Sequence, residues 1–393
     1  MELRQSIKSV SLDDIEQQSK KVTAIMNEIR SVMLAPQSRK IPPVFGSADI
    51  QSLCGIDRAK LAYRMTLGDL PGGNVVGSRR VWTLEEGLTW VRSFRSSCLR
   101  PPGASAVTIT VANFKGGVAK TTSAVSLAQG LSLRGHKVLM VDLDPQGSAT
   151  TLFGLIPDAE VSSDQTALSL FAGEEDSLDY AIQKTYWHDI DLVGASPSLF
   201  GAEFALPARQ MKDPGFEFWR TLDYGLDSAR ERYDVIVIDT PPALSYVTIN
   251  SMLAADGMVI PLPPSALDFA SSAQFWDLFS DLLQQLYSGG RKQKTFEFID
   301  VLLSRVETSD TASSVVRQWI MEAYGDKVLP IEIPKTSVTS NASAEFGTVY
   351  DIPKGSVSAK TYSRARDAYD RYCQLVEEQI RAVWEKQVHS LND

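Results

Sequence analysis

From residue 107 onward, short apolar runs alternate with longer segments whose apolar positions recur at helical spacing. The run at 235–238 is apolar throughout, which is typical of a strand buried on both faces of a parallel sheet. The pattern predicts strands at 107–113, 137–141, 190–193, 235–238, 257–261, 298–304 and 328–331. Helices are predicted at 120–134, around 166–184, near 216–232, and at 243–254, 270–287, 311–324 and about 358–388. The sequence therefore favours an α/β fold with a mostly parallel, doubly wound sheet.

The last predicted helix carries an apolar stripe that includes three tyrosines and a tryptophan. Its members are Tyr362, Tyr369, Tyr372, Val376, Ile380, Val383 and Trp384. Acidic residues are mixed into this stripe, and the helix lacks a basic face. We therefore expect it to pack against its own domain rather than to anchor the protein to a membrane.

A separate amphipathic helix is predicted near the N-terminus, from Ser11 to about Met33. Its apolar positions are Ile15, Val22, Ile25, Met26, Ile29 and Val32. Ser11 followed by two aspartates is a helix-start signal, and the proline-containing segment from Pro36 to Pro43 ends the pattern. The stripe has no core of its own at 1–40. It is expected either to pair with its copy in a second subunit or to dock on its own chain.

Between these regions, residues 41–103 show the pattern of a winged helix-turn-helix domain. A short helix from Ser47 ends at Gly55, and a second begins at about Asp57. A glycine-rich turn and two strand-like segments follow, and Thr83 with Glu86 predicts a capping box for a further helix. The last portion is similar to the MerR type. The linker from Arg100 to Ser105 marks the start of the third domain, 104–393.

DNA contact is one interpretation of this small domain. Arg58, Lys60 and Arg64 would lie on its second helix, and Arg79 and Arg80 on the wing. The alternative is a helical dimerisation domain whose arginines are merely at the surface.

Charge is unevenly distributed along the 393 residues. Residues 1–100 carry 15 Lys and Arg against 10 Asp and Glu, whereas the rest carry 24 against 38, for a net charge of −9. The basic N-terminal quarter agrees with a nucleic-acid contact there. Three widely separated cysteines and three histidines favour neither a disulfide framework nor a zinc site. No secretory signal or membrane-spanning run is recognised, so a cytoplasmic location is expected.

The strongest chemical signal is the loop from Phe114 to Thr122, between a predicted strand and helix. Consecutive backbone N–H groups at a helix start bind phosphates, and Gly116 and Gly117 permit the required close approach. Lys120 would neutralise the β- and γ-phosphates, and the Thr121 hydroxyl would bind Mg²⁺. The common GxxxxGK(S/T) pattern is absent, because phenylalanine and alanine occupy its glycine positions.

The loop carries a second lysine, Lys115, and its eight residues to Thr122 resemble the deviant Walker A motif KGGxxK(S/T) of the ParA/MinD superfamily of P-loop NTPases. The resemblance implies ATP or ADP bound with Mg²⁺. The nucleotide-binding residues would be Lys115, Gly116, Gly117, Val118, Ala119, Lys120, Thr121 and Thr122. It also implies that Lys115 crosses a homodimer interface to the phosphates of the other subunit and acts there like an arginine finger.

Two aspartates, Asp142 and Asp144, follow the next strand, and strand alternation points them to the same side. Alone, this pattern also fits an Asp-Pro turn that ends a strand. Residues 142–147 resemble the superfamily's DxDPQG pattern, which implies that Asp144 orients the attacking water and that Asp142 organises contacts around the nucleotide and Mg²⁺. Asp239, at the end of the apolar strand, resembles the Walker B aspartate that reaches the metal.

The overall layout resembles the larger (type Ia) plasmid-partition ParA proteins. This implies an Mg²⁺-dependent ATPase that binds operator DNA through the helix-turn-helix and represses its own operon. ATP-dependent non-specific DNA binding is also implied, for which the candidates are Lys354, Lys360, Arg364 and Arg366. A ParB-type partner, nucleoid association and no membrane binding follow from the same resemblance. The alternatives are an ATP-responsive transcriptional repressor and a MinD-like membrane-associated positioning ATPase.

Overall fold

The computed structural model describes residues 9–33, 39–288, 293–307, 311–335, 347–352 and 358–390. The chain divides into two units, Met1–Ile41 and Pro42–Asp393, and each is described by itself. None of the helices in the described ranges is long and apolar enough to cross a membrane.

The described part of the first unit contains helix α1 (Leu12–Met33), where the sequence predicts it. Its start is capped as expected: the Asp14 N–H donates to the Ser11 hydroxyl at 3.2 Å, and the Ser11 N–H donates to the Asp14 carboxylate at 2.9 Å. The apolar side chains Ile15, Val22, Ile25 and Met26 are exposed. The side chains of Ile29 and Val32 lie outside the described ones.

The second unit begins with the predicted winged arrangement. Helices α2 (Ser47–Cys54) and α3 (Arg58–Leu67) are separated at Gly55, which has a φ of 64°. Strands β2 (Asn74–Val76) and β3 (Arg79–Trp82) form an antiparallel hairpin, and the short β1 (Phe45–Gly46) pairs with the other edge of β3. Helix α4 (Leu84–Phe94) starts with the capping box of Thr83 and Glu86.

Two tryptophans fix the turn that precedes this hairpin. Trp82 and Trp90 are fully buried, and both indole N–H groups donate to the carbonyl of Pro71 at 2.9 Å. Gly73 has a φ of 64°, and a Cβ there would lie 2.8 Å from the Val81 carbonyl. The turn therefore requires glycine at this position.

The rest of the unit is built on an eight-stranded sheet in the order β11-β10-β9-β4-β8-β5-β7-β6. All neighbours are parallel except β6, which runs antiparallel to β7. This confirms the expected P-loop architecture of a mostly parallel sheet. The strands are β4 (Val107–Val111), β5 (Val138–Asp142), β6 (Gln183–Lys184), β7 (Ile190–Val193), β8 (Val235–Asp239), β9 (Gly257–Leu262), β10 (Phe298–Val306) and β11 (Val328–Pro334).

Helices cover both faces of this sheet, with short 3-10 turns between several of them. They are α5 (Lys120–Ser132), α6 (Ser148–Leu152), α7 (Pro157–Glu160), α8 (Leu168–Ala172), α9 (Ala202–Lys212), α10 (Thr221–Gly225), α11 (Asp227–Arg232), α12 (Tyr246–Ala254), α13 (Ala266–Leu286), α14 (Thr311–Tyr324) and α15 (Ala359–Ser390).

The sequence prediction of helices around 166–184 is only partly right. Only α8 is an α-helix there, because Gly173 takes a left-handed φ of 81° and ends it, and the segment finishes in strand β6. The sequence pattern does not predict helix α9, which contains Pro207. The expected packing of the last helix is confirmed: Tyr369, Tyr372 and Trp384 of α15 are buried.

Three arginines join the winged region to the rest of the second unit. Arg95 lies 2.7 Å from Glu377 of α15, Arg92 lies 2.6 Å from Asp189, and Arg100 lies 3.1 Å from Asp234. Buried apolar residues of the winged region and of α5 and α15 also belong to one continuous core. The domain boundary near residue 103 stays a prediction from sequence.

Candidate functional site

The candidate phosphate-binding loop lies at the carboxyl edge of the sheet, between β4 and α5. Gly117 and Ala119 have φ values of 77° and 72°, and Ala119 immediately precedes the first residue of α5. Alanine therefore stands in a left-handed conformation that favours glycine. The alanine that replaces the glycine of the common motif thus takes a backbone conformation that glycine adopts without strain.

The other departure from the common motif, Phe114, is used for packing. Its ring lies 4.5 Å from that of Phe275 in α13, which ties the start of the loop to that helix. The Lys115 N–H donates to the Asn113 side chain at 3.0 Å, and Asn113 donates in turn to the Pro261 carbonyl at 2.9 Å. Strand β9 therefore positions the first half of the loop.

The second half is held by the end of β10. The Ser304 hydroxyl donates to the Val118 carbonyl at 2.9 Å, and the Arg305 guanidinium donates to the Gly117 carbonyl. Arg305 itself has a positive φ of 53°. The carbonyls of Gly117 and Val118 therefore already have hydrogen-bond donors within the protein.

Lys120 is the buried cation of the site, with 6% of its surface exposed. Its Nζ donates to the Lys115 carbonyl at 2.8 Å, which closes the loop on itself. Burial lowers the pKa of Lys120, and the charges of Asp239 and Asp144 oppose that shift. The loop thus holds one positive charge directly under its backbone.

Asp239 ends β8 beside this lysine and is fully buried. Its backbone pairs in register with Val111 and Asp142, so the ends of three strands meet here. Neither Asp239 oxygen accepts a hydrogen bond of normal geometry from a described residue. Burial and the charge of Asp142 raise the pKa of Asp239 well above its usual range, and the nearby Thr121 hydroxyl opposes the rise.

Asp142 and Asp144 have different surroundings despite their close spacing. Asp142 is fully buried and accepts hydrogen bonds from the N–H and hydroxyl of Thr150, at 2.8 and 2.7 Å. Burial raises the pKa of Asp142 to about 7, although those bonds oppose it. Asp144 lines the open cleft, and one of its oxygens accepts the Gln146 N–H at 3.0 Å. Burial also raises the pKa of Asp144, against that bond and the charge of Lys120.

The cleft in front of the loop has a volume of about 660 Å³. Its polar floor consists of loop residues and Asp144, and its other walls come from α6 and the ends of β10 and β11. The lining residues are Gly116, Gly117, Ala119, Lys120, Thr121, Thr122, Asp144, Ser148, Thr151, Leu152, Pro242, Arg305, Ile333, Pro334, Lys335 and Tyr369. The cleft therefore brings together all the predicted nucleotide-binding residues except Lys115, Val118 and Asp142.

These residues fit a polyphosphate with a divalent cation. Among the described residues, no cluster of three or more His, Cys, Asp or Glu is placed to hold a metal alone. Mg²⁺, however, is commonly held by one or two protein groups together with phosphates and water. The unpaired oxygens of Asp239 and the neighbouring Thr121 hydroxyl supply such groups.

Lys115 lies apart from this cleft. Its Nζ is 2.6 Å from the Oδ1 of Asp268, near the start of α13. Both residues line a neighbouring hollow of about 330 Å³. The two lysines of the loop thus point to different places.

The predicted DNA-contacting residues of the winged region also differ from one another. Arg58, Lys60 and Arg79 are exposed. Arg64 instead lies 2.7 Å from Asp69 and stacks over Phe94, and Arg80 donates to the Gly72 carbonyl at 2.6 Å. The last two side chains therefore have structural partners in the protein itself.

The four basic residues predicted to bind DNA between residues 354 and 366 also differ in their surroundings. Lys360 and Arg364 are exposed at the start of α15. Arg366 lies 3.0 Å from Asp370 and over the ring of Tyr350. Lys354 lies outside the described residues. DNA contact by any of these residues stays a prediction.

Sequence reasoning missed several residues that shape the site. Thr150, Arg305 and Asp268 come from three separate segments, and none belongs to the loop motif. Lys335, which also lines the cleft, lies in the segment Ile333-Pro334-Lys335, whose sequence resembles part of the superfamily pattern. Spacing along the chain does not reveal such contacts.

Comparison with known proteins places this geometry in context. A family model described as an AAA domain matches residues 106–288. "Putative replication protein A" of Rhizobium rhizogenes is 30% identical over 365 residues, which cover 89% of each chain. Protein SopA of Escherichia coli K12 is 29% identical over 367 residues, covering 89% of this chain and 92% of SopA.

Two solved structures share the fold. Cobyrinic acid a,c-diamide synthase of Mycobacterium smegmatis, with bound ADP and magnesium, has a TM-score of 0.52 at 27% identity and covers 68% of this chain and 93% of its own. A structure named "Partition Protein" has a TM-score of 0.63 at 18% identity, with 94% of this chain and 98% of that chain covered. The R. rhizogenes protein and SopA match almost the full length of the chain, and chromosome partitioning protein ParA of Caulobacter vibrioides is 29% identical over 62% of it. With these relatives, this protein belongs to the ParA family of partition ATPases.

Proposed function

We propose that this protein hydrolyses ATP with Mg²⁺, forms a homodimer around the bound nucleotide, and uses that cycle to bind and release DNA. The observation that supports the proposal best is that the two lysines of one loop lie in different places. Lys120 is buried in the cleft, whereas Lys115 lies outside it. A loop with one inward and one outward lysine suits a site that is completed by a second subunit.

The residues of this chain would hold the nucleotide as follows. The backbone N–H groups of 116–122 and the Lys120 ammonium would bind the phosphates. Thr121 and Asp239 would hold Mg²⁺, in keeping with the ADP and magnesium bound by the M. smegmatis synthase. When bound, Mg²⁺ neutralises charge on the β- and γ-phosphates. Asp142 would act indirectly, because Thr150 and the Asp144 N–H occupy its oxygens.

Asp144 is the proposed group that orients the attacking water. It lines the cleft, and the Gln146 N–H fixes one of its oxygens. Its other oxygen has no hydrogen bond from a described residue and is available to accept one from water. Positioning of this kind supplies much of the catalysis in phosphoryl transfer, where the protein does little covalent chemistry.

The DNA part of the proposal concerns two surfaces. The exposed Arg58, Lys60 and Arg79 would contact operator DNA and support repression, and Lys360 with Arg364 would contribute to non-specific binding. A ParB-type partner would stimulate the ATPase. Replacing any one of these basic residues by alanine should weaken DNA binding and reduce its salt dependence.

ATP turnover by the purified protein tests the catalytic part. We expect Lys120→Gln to abolish turnover and Asp144→Ala to abolish hydrolysis while ATP-dependent DNA binding persists. Lys212→Gln, an exposed lysine on α9, is the matched control and should behave as the unmodified protein. Normal turnover by Lys120→Gln would refute the assignment of the loop.

Mixing two inactive variants tests the shared site. In a mixed dimer of Lys115→Ala and Asp144→Ala, the first subunit keeps Lys120 and Asp144 and receives Lys115 from its partner. Partial recovery of turnover is therefore expected on mixing. No recovery, with mixed dimers demonstrated by pull-down of differently tagged subunits, would show that Lys115 acts within its own subunit.

A further inference from the structure

We propose that Asp268 is a positioning residue for Lys115: it holds the lysine outside the cleft of its own subunit until the phosphates of a second subunit compete for it. The inference rests on the proposed role of Lys115 in trans. It concerns a residue outside the loop motif and outside the cleft that holds the proposed nucleotide site.

The contact between the two residues is direct. Lys115 Nζ lies 2.6 Å from Asp268 Oδ1, and the side chains are 34% and 14% exposed. Screening by water is weaker for such a partly covered pair than for a fully exposed one. Glu307 lines the same hollow but pairs with Lys335. Among the described residues, Asp268 is therefore the acidic partner of Lys115.

Asp268 is held in place independently of the lysine. Its other carboxylate oxygen accepts a hydrogen bond from the Ser265 hydroxyl, and its N–H donates to the same hydroxyl at 3.2 Å. It also lies in the first turn of α13, where the helix dipole favours a negative charge. The carboxylate is thus fixed whether or not Lys115 is present.

The backbone of Lys115 is fixed too. Its N–H donates to Asn113, and its carbonyl accepts from Lys120. Packing of Phe114 on Phe275 also ties the loop to α13, the helix that carries Asp268. The lysine side chain is therefore the part that can exchange between the carboxylate and another anion without movement of the loop or helix.

The Lys115–Asp268 ion pair lowers the equilibrium constant for dimerisation, and the size of this effect follows from the strength of the pair. Each subunit must break its Lys115–Asp268 pair before the lysine can bind phosphate across the interface. Partly exposed ion pairs of this kind correspond to roughly a two- to fivefold change in an equilibrium constant. Since a symmetric dimer contains two such pairs, removal of the carboxylate should tighten ATP-dependent dimerisation by about four- to 25-fold.

The experiment compares Asp268→Asn with the unmodified full-length chain, by sedimentation velocity with a non-hydrolysable ATP analogue and Mg²⁺. We expect dimers of Asp268→Asn at correspondingly lower protein concentration, and a higher basal ATPase rate at concentrations where the unmodified protein is monomeric. Asp268→Glu should restore much of the original behaviour. Unchanged or weaker dimerisation of Asp268→Asn would overturn the proposal.

Two controls separate this role from a structural one. Asp277→Asn and Asp281→Asn each remove an exposed carboxylate from α13 and leave Ser265 and the Lys115–Asp268 pair in place. Both should dimerise like the unmodified protein. If either variant matches Asp268→Asn, the effect comes from the charge of the helix and the proposal fails.

Combining Asp268→Asn with Lys115→Ala separates the proposed role of Asp268 from the proposed trans role of Lys115. In that background, Asp268→Asn should have no further effect on dimerisation, because the pair is already broken. Failure of the trans role appears as no recovery on mixing Lys115→Ala with Asp144→Ala. Failure of the Asp268 proposal alone appears as normal dimerisation of Asp268→Asn in a protein that does recover on mixing.

Discussion

Glu377 offers a quantitative test of how the winged region is attached. This carboxylate of α15 is 5% exposed and lies 2.7 Å from both Arg95 and His136, with Arg134 at 3.1 Å. The Glu377→Gln substitution keeps the shape of the side chain and removes its charge. The two arginines would then remain largely covered without their counter-charge.

The expected decrease in stability follows from the pKa of this group. Burial alone would raise the pKa of Glu377, but the hydrogen bond from His136 and the charges of His136, Arg134 and Arg95 outweigh it and lower the pKa from 4.5 to about 2. One pKa unit corresponds to about 1.4 kcal/mol, so the charged form is stabilised by about 3 kcal/mol. This agrees with the roughly 3–5 kcal/mol typical of removing one partner of a buried pair.

Urea unfolding as a function of pH checks the value and its sign. Because the pKa of Glu377 is lower in the folded protein, its stabilisation is complete above about pH 4.5 and is lost as the pH falls towards 2. The free energy of unfolding of Glu377→Gln should therefore be about 3 kcal/mol lower than that of the unmodified protein at pH 7. The difference should shrink steadily below pH 4.5.

Glu378→Gln is the matched control, since this neighbour on α15 is 53% exposed and its nearest cation, Arg371, is 3.9 Å away. Its substitution should cost less than about 1 kcal/mol. A decrease below about 1 kcal/mol for Glu377→Gln at pH 7, or a difference that does not change with pH, would refute the reasoning.

Four further substitutions test three separate features of the structure. Burial raises the pKa of Asp300 to about 7, so the free energy of unfolding should fall as the pH rises from about 4 to 7. Above pH 7, urea unfolding should show Asp300→Asn to be more stable than the unmodified protein by up to about 4 kcal/mol. Equal stability of the two proteins there would contradict this prediction. Ala119→Gly should keep ATP turnover and unchanged or slightly higher thermal stability, because glycine adopts the φ of 72° without strain; an inactive Ala119→Gly protein would contradict it. Arg64→Ala should lower thermal stability because it removes the ion pair with Asp69 and the stacking on Phe94. Arg58→Ala should instead lower the affinity for operator DNA and leave thermal stability unchanged. The opposite pattern would contradict both assignments.

Local patterns predicted the framework well because they reflect local physics. The strand 235–239 is apolar at every position but the last, and every residue of this strand and of strand 107–111 is buried, since both faces of the sheet are covered. The capping box at Thr83 and the glycine at residue 55 fix helix ends through contacts within a few residues. Such features need no knowledge of the rest of the chain.

The parts of the site that sequence did not reveal depend on distant segments. Asp268 lies 153 residues beyond Lys115 in the sequence, and Arg305, which donates to the Gly117 carbonyl, lies in β10. No periodicity or spacing rule connects these positions. The same reason explains Arg64: helical position alone suggests a DNA contact, and only the folded structure pairs it with Asp69.

The attachment of the last helix has a consequence for how the protein is made. Trp384 donates to the Ser105 carbonyl at 3.0 Å, and the Ser105 N–H donates to the Gln387 side chain at 2.9 Å, so the linker after the winged region is held by α15. A nascent chain folds from its N-terminus while synthesis continues. The winged region and most of the sheet therefore leave the ribosome before α15, which holds the linker at Ser105, has been synthesised. A ribosome stalled before α15 would therefore carry a chain whose linker is not yet held at Ser105.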